Sequence, residues 1–240
     1  GQSGTDHGLF SKTTVVCPLK YSQGNPAMQP RLGARLDRME YLVGRKTPAV
    51  AQALTFLVTE VSRMKPFITP EISAKGQRVL RFQLEGFEDD LSLNSVRGHS
   101  IIAYGMPAGH TLETAWEFIL IFEDGSLLEF SSACTQVIGW EEVGSLNIRF
   151  APQVPGHQSS ASEHLLRVEI QKFEVIAIKK LVYEDDDVIA ECGLILYGAN
   201  GEEVIVATGV SPGSVSIGAA FSAVQFKPEF PVHMTKRESI

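Results

Sequence analysis

The sequence predicts an α+β fold, mainly an antiparallel sheet built from two similar β units, with one or two N-terminal helices packing on it. Two observations carry this prediction. An apolar run that ends in Asp124-Gly125 recurs as one that ends in Asn200-Gly201, and a Gly-Ser-x-x-Ile segment follows each, at 144–148 and 213–217. Upstream, apolar residues fall at helical spacing. An internal duplication fixes the architecture before any other feature does.

The basic N-terminal segment, residues 1–76, contains the two predicted helices, at about 31–43 and 48–65. The second is the stronger prediction. Thr47 is an N-cap residue, Pro48 occupies the first helical position, and an apolar stripe follows as far as Lys65. We expect this stripe to cover one face of the sheet.

The first β unit is predicted at 77–150 and the second at 164–240, with a linker or surface loop at 151–163. A strand at 79–84 opens the first unit. Asp124-Gly125 and Asn200-Gly201 predict tight hairpins with type I′ turns. The apolar run 118–122 predicts a strand covered on both faces. The alternating residues in 146–150 and 214–217 predict half-exposed strands.

Charge is unevenly distributed along the chain. Residues 1–80 hold 11 basic and 5 acidic residues, a balance of +6, whereas residues 81–240 hold 10 and 23, a balance of −13. The acidic body makes nucleic-acid binding an unfavoured function. Three widely spaced cysteines indicate a reducing compartment, and no apolar run reaches the roughly 18 residues of a membrane span. We therefore expect a cytoplasmic protein.

Motifs for catalysis and metal binding are weak. A literal Gly-x-Ser-x-Gly at 209–213 has Pro212 after its serine, so the backbone N–H needed for an oxyanion hole is missing. A turn between two strands explains it better. The histidines lack metal-ligand spacing, and no nucleotide-binding fingerprint is present. We expect no metal and no cofactor.

The two copies differ most between Val137 and Val143, where the first carries the extra residues. This segment contains Trp140, Glu141 and Glu142. Tryptophan is favoured at the centre of protein interfaces, although it also caps cores at sheet edges. A second acidic run, predicted as a hairpin tip, is formed by Glu184, Asp185, Asp186 and Asp187. These seven residues are the predicted binding residues.

The favoured hypothesis is a non-enzymatic protein-binding module that occludes a basic protein partner through an acidic surface. A bacterial immunity or antitoxin-type inhibitor fits this description by analogy. One alternative is an enzyme of unknown reaction class, using His99, His110, Tyr104 or Glu117. Another is a structural subunit whose exposed strands pair with other copies of the chain. The sequence does not give the partner or the oligomeric state.

Overall fold

The computed structural model describes residues 64–87, 93–139, 141–153 and 164–240, which belong to the second of two units, Ser62–Ile240. Regular structure in these residues is almost entirely β. The strands are β1 (Glu71–Ile72), β2 (Arg78–Leu80), β3 (Gln83–Glu85), β4 (Ser100–Pro107), β5 (Phe118–Phe122), β6 (Leu127–Gln136), β7 (Glu142–Ala151), β8 (Leu165–Glu184), β9 (Val188–Gly198), β10 (Glu203–Thr208), β11 (Val215–Ala219) and β12 (Thr235–Ser239).

The described strands form one sheet in the order β1-β2-β9-β8-β4-β5-β6-β7-β3, with β10 and β11 continuing from β9 and β12 pairing with β8. Strand β8 is 20 residues long and joins the two halves. Its first half pairs with β4, and its second half pairs with β9 and β12. The segments β4–β7 and β8–β11 each run as a four-stranded antiparallel meander.

The two meanders contain the same tight turn. The Gly125 N–H donates to the Phe122 carbonyl at 2.9 Å, and the Gly201 N–H donates to the Gly198 carbonyl at 3.0 Å. The hairpins are confirmed, but the predicted type I′ geometry is wrong. Type I′ needs positive φ at Asp124 as well, and among the described residues only glycines have positive φ. The turn is instead a type I turn closed by a glycine bulge.

The predicted α+β class is wrong. The described residues contain no α-helix, only 3₁₀ turns at Leu93–Val96 and Val232–Met234. Lys65, where the second predicted helix ends, lies outside any regular element. Met64 likewise lies outside any regular element, whereas residues 48–63 of that helix and the whole of 31–43 lie outside the described residues. No helix in the described part of the chain is long and apolar enough to cross a membrane.

The prediction of a mainly antiparallel sheet is also wrong, because the sheet is mixed. The predicted strand 79–84 breaks at Arg81 into β2 and β3, which pair in parallel with β9 and β7 respectively. The buried carboxylate of Glu191 holds the break open. It accepts the Phe82 N–H at 2.8 Å and the Lys180 ammonium at 2.5 Å. A side chain on β9 therefore satisfies a backbone donor that a continuous strand would have paired.

The principal core lies along the inner face of both meanders. It is rich in phenylalanine, and all five residues of β5 are buried, which confirms that strand's predicted two-sided burial. The prediction of half-exposed strands at β7 and β11 is wrong. Asn147 is buried because Gln83 Nε2 donates to its Oδ1 at 2.7 Å, and Ser216 is buried because the Lys227 N–H donates to its hydroxyl at 2.9 Å. Returning chain segments thus cover the polar faces.

Candidate functional site

Two acidic hairpin tips lie at the same end of the described unit. The β6–β7 tip carries Glu141 and Glu142, and the β8–β9 tip carries residues 184–187. Both hairpins contribute to one apolar cluster, in which Val137 and Val143 pack with Val188. The sequence named both acidic segments as binding candidates but gave no reason to place them together. We call Glu141, Glu142 and residues 184–187 the acidic end.

Tyr183 lies between the two tips. Its ring stacks on Phe230 with the ring centroids 4.0 Å apart, and its hydroxyl donates to Asp185 Oδ2 at 3.0 Å. Burial raises the pKa of Tyr183, and the negative charges of Asp185 and Glu141 raise it further. Carboxylates of both tips therefore act on one phenol, and the acidic end is a single electrostatic environment.

Two of the predicted carboxylates are committed to internal contacts. The Lys236 ammonium donates to Glu184 at 2.5 Å, and this bond is the first reason that the pKa of Glu184 is lowered. Burial would raise the pKa of Asp185, but the N–H groups of Asp187 and Val188 donate to its Oδ1 at 2.9 and 2.8 Å and leave the pKa lowered. Glu184 and Asp185 build the tip.

The other four acidic residues face solvent. Glu141, Glu142, Asp186 and Asp187 are exposed, and none forms an ion pair with another described residue. They are the carboxylates that the acidic end can offer to a cation. Trp140, the predicted anchor, lies outside the described residues.

The segment 137–143, in which the copies differ, extends a hairpin. Strands β6 and β7 have 10 residues each, against 6 and 5 in β10 and β11. Val137 and Val143 are buried, so the extra residues include apolar side chains that hold the tip against the second hairpin. The added length brings Glu141 and Glu142 level with the other acidic tip.

A half-buried carboxylate that was not among the predicted binding residues lies beneath this end. Glu229 accepts the Gly144 N–H with both carboxylate oxygens at 3.1 Å, and its own N–H donates to the Thr208 carbonyl at 2.7 Å. Burial raises the pKa of Glu229 to about 7; the hydrogen bond from the Gly144 N–H opposes the rise, whereas the charge of Glu141 adds to it. Glu229 thereby ties the chain before β12 to both meanders.

The glycine at position 144 is required by this contact. A Cβ there would meet the carboxylate of Glu229 and would lie 2.9 Å from the Thr208 Cβ. We expect Gly144→Ala to lower the free energy of unfolding by about 1–3 kcal/mol through overpacking, measured by urea denaturation. The neighbouring Ser145→Ala is the control. Its buried hydroxyl has no hydrogen-bond partner among the described residues, so its removal should cost little. Equal losses in the two variants would contradict the prediction.

A second unflagged carboxylate, Glu129, is buried on the outer face of β6. Its Oε2 accepts the Arg149 Nε–H at 2.7 Å, and its Oε1 has no partner among the described residues. Burial raises the pKa of Glu129, the bond and charge of Arg149 oppose this, and the charges of Glu117 and Glu85 add to it. The signal available in the sequence was a single acid within the apolar run 127–130.

The residues of the alternative enzyme hypothesis make separate contacts. His99 Nδ1 lies 3.3 Å from Asp124, the Trp116 N–H donates to His110 Nδ1 at 3.3 Å, and Glu117 contacts His164 at 3.2 Å. The ring of Tyr104 stacks in the core. A shallow depression of about 430 Å³ lies elsewhere, at the acidic end, and is lined by Lys75, Gln77, Glu184, Asp185, Asp186 and Lys236.

The fold and the site together define a β-sheet protein with a clustered acidic end. No protein-family model, curated protein or solved structure matches the chain. The function must therefore be argued from the site itself.

Proposed function

We propose that the protein is a non-enzymatic binding module that holds a basic segment of a protein partner at its acidic end. The observation that supports this is the convergence of two hairpin tips, distant in sequence, around Tyr183. Four exposed carboxylates form no ion pair with another described residue, and this surface attracts lysine and arginine side chains. One of them, Glu142, accepts the Cys134 thiol at 3.4 Å and keeps its charge available. An inhibitor that covers the basic surface of a toxin is one role of this kind.

The neighbouring lysines favour a partner with spaced basic residues. Lys236 and Lys75 lie 2.5 and 3.9 Å from Glu184 and divide the depression into positive and negative parts. A uniformly basic patch would be repelled from that side. The exposed pairs Glu141–Glu142 and Asp186–Asp187 are the positions at which the basic side chains of a partner bind most favourably.

The test reverses charge at the acidic end. We expect a variant with Glu141, Glu142, Asp186 and Asp187 all changed to lysine to lose basic proteins that wild-type bait retains from source cells, as identified by mass spectrometry. Binding to wild type should also fall steeply with salt, because the contacts are exposed.

The control carries two charge reversals elsewhere, Glu174→Lys and Glu202→Lys, on exposed positions away from the acidic end. It is compared with the matching double variant Glu141→Lys/Glu142→Lys, so that the net charge is equal. Equal loss of the same proteins by the control and the double variant would mean that total charge, and not this surface, determines binding. Equal retention would mean that Glu141 and Glu142 are not needed for binding. Either result would overturn the proposal.

A further inference from the structure

The first half of β8 is an edge strand. Residues 165–169 pair with β4 on one side, and no described strand pairs with their other side. Leu166 and Val168 are 58% and 39% exposed although they lie opposite Met106 and the core residue Tyr104. An exposed edge of this kind offers backbone donors and acceptors to another strand.

The hydrogen-bond pattern shows which residues face this open edge. Phe122 directs both of its backbone groups into the β5–β6 turn, donating to Ser126 and accepting from Gly125 at 2.9 Å each. Backbone N–H and C=O groups alternate in direction along a strand, so those of Ile121 point toward β4. The backbone groups of its partner Ala103 point back toward β5, and those of Tyr104, the next residue of β4, point toward β8.

Because Tyr104 pairs with Val168, the backbone groups of Val168 are used within the sheet. Those of Arg167 and Glu169 point to the open edge. The Arg167 and Glu169 side chains lie on the outer face and are 50% and 69% exposed, with Arg167 Nε 2.8 Å from Glu169. Their cross-strand neighbours are Gly105 and Ala103, so nothing bulky beside them restricts their direction.

We infer that this edge pairs with the same edge of a second copy of the chain, antiparallel and with the two-fold axis at Val168. In this register Arg167 lies opposite Glu169 of the second copy, and the reverse pair is formed as well. Both residues present backbone groups to the edge, so each of the two pairs exchanges two hydrogen bonds. Leu166 then lies opposite Ile170 of the second copy, which is an apolar pair on the inner face.

The charges of Arg167 and Glu169 favour this register over the two neighbouring registers. A two-fold axis at Arg167 would place two arginines opposite each other, and one at Glu169 would place two carboxylates opposite each other, and both arrangements are unfavourable. The acidic end is at the opposite end of β8, at Glu184, so the dimer leaves both acidic ends open to partners. The inference does not depend on the proposed function.

The test uses two variants that repel themselves and attract each other. Arg167→Glu places glutamate opposite glutamate in its own dimer, and Glu169→Arg places arginine opposite arginine. We expect wild type to reach twice the 26.2 kDa chain mass in sedimentation equilibrium, and each variant to raise the dissociation constant by roughly tenfold. Mixing the two variants should restore the dimer, because both cross-strand pairs are then complementary. The double variant R167E/E169R should also dimerise.

Restoration by mixing cannot come from repaired folding, since each chain keeps its own substitution. Wild type that stays monomeric up to about 500 μM, well above the range expected of a small specific interface, would overturn the inference. So would a dimer whose dissociation constant in both single variants equals that of wild type. Thermal unfolding of each variant confirms that the chain is folded before the masses are compared.

Discussion

Replacing Arg149 by methionine will lower the free energy of unfolding by about 3 kcal/mol, because it leaves one member of a buried ion pair without its partner. The Glu129 side chain is 5% exposed, whereas that of Arg149 is 34% exposed, which places the expected cost at the lower end of the usual range. Without the guanidinium, Glu129 must stay charged in an apolar surrounding or take up a proton. Urea denaturation at neutral pH measures the loss.

The control for this variant removes both charges. Glu129 lies opposite Ile119 on one side and Arg149 on the other, next to an apolar patch on the outer face that includes Ile121 and Leu127. A double Glu129→Leu/Arg149→Leu variant should therefore unfold with a loss of less than about 1 kcal/mol, since no charge is left unpaired. If the double variant loses as much as Arg149→Met, the arginine contributes through packing and the ion-pair argument is wrong.

The hairpins could be predicted from the sequence because their signals are local. A glycine that must adopt positive φ after an Asp or Asn marks a turn whatever lies around it, and both Gly125 and Gly201 do so. The turn in the Gly-x-Ser-x-Gly segment at 209–213 could also be predicted from local residues. Ser214 N–H donates to the Ser211 carbonyl at 3.0 Å, which confirms the predicted turn between strands β10 and β11.

The errors arose where distant residues decide the outcome. The apolar run at 79–84 has the pattern of one strand, and only Glu191, on a strand more than 100 residues later, divides it. Polar residues such as Asn147 and Ser216 suggested solvent exposure because their covering partners come from remote segments. The periodicity of a segment indicates which secondary structure it favours, whereas the burial of its side chains depends on the segments that pack against it.

The candidate site, too, could be predicted where its signals are local and could not where it depends on contacts between distant residues. The acidic residues at 141–142 and 184–187 were visible from charge alone, but their approach depends on apolar side chains at 137, 143 and 188 packing together. That Glu184 and Asp185 are committed to Lys236 and to the turn backbone required the geometry. The contact of Glu229 with Gly144 could not be predicted, because it results from the return of residues 228–230 to β10.

Raising the pH from about 4.5 to about 7 will destabilise the protein through Glu229. Its pKa rises from an ordinary 4.5 in the unfolded chain to about 7 in the fold. Between these values the folded state keeps a proton that the unfolded state releases. The contribution of Glu229 to stability is therefore highest below pH 4.5, falls as the pH rises, and stays at its lower value above pH 7. The loss attributable to this residue is roughly 3 kcal/mol.

Glu229→Gln isolates this contribution. The amide oxygen can still accept the Gly144 N–H, and the side chain has no charge to desolvate. We expect the variant to match wild type near pH 4.5 and to be more stable above pH 7, in urea denaturation at a series of pH values. The two proteins differ in no other titratable group, so the difference between the two curves reports Glu229 alone.

Two further variants separate charge from hydrogen bonding. Glu229→Ala removes the acceptor and should be destabilised at every pH, because the Gly144 N–H is left without its partner. Glu141→Gln removes the negative charge that helps to raise the pKa of Glu229, so the pH midpoint of the wild-type transition should move lower. Parallel stability curves for wild type and Glu229→Gln would show that the carboxylate stays ionised throughout, with the Gly144 N–H as its hydrogen-bond donor.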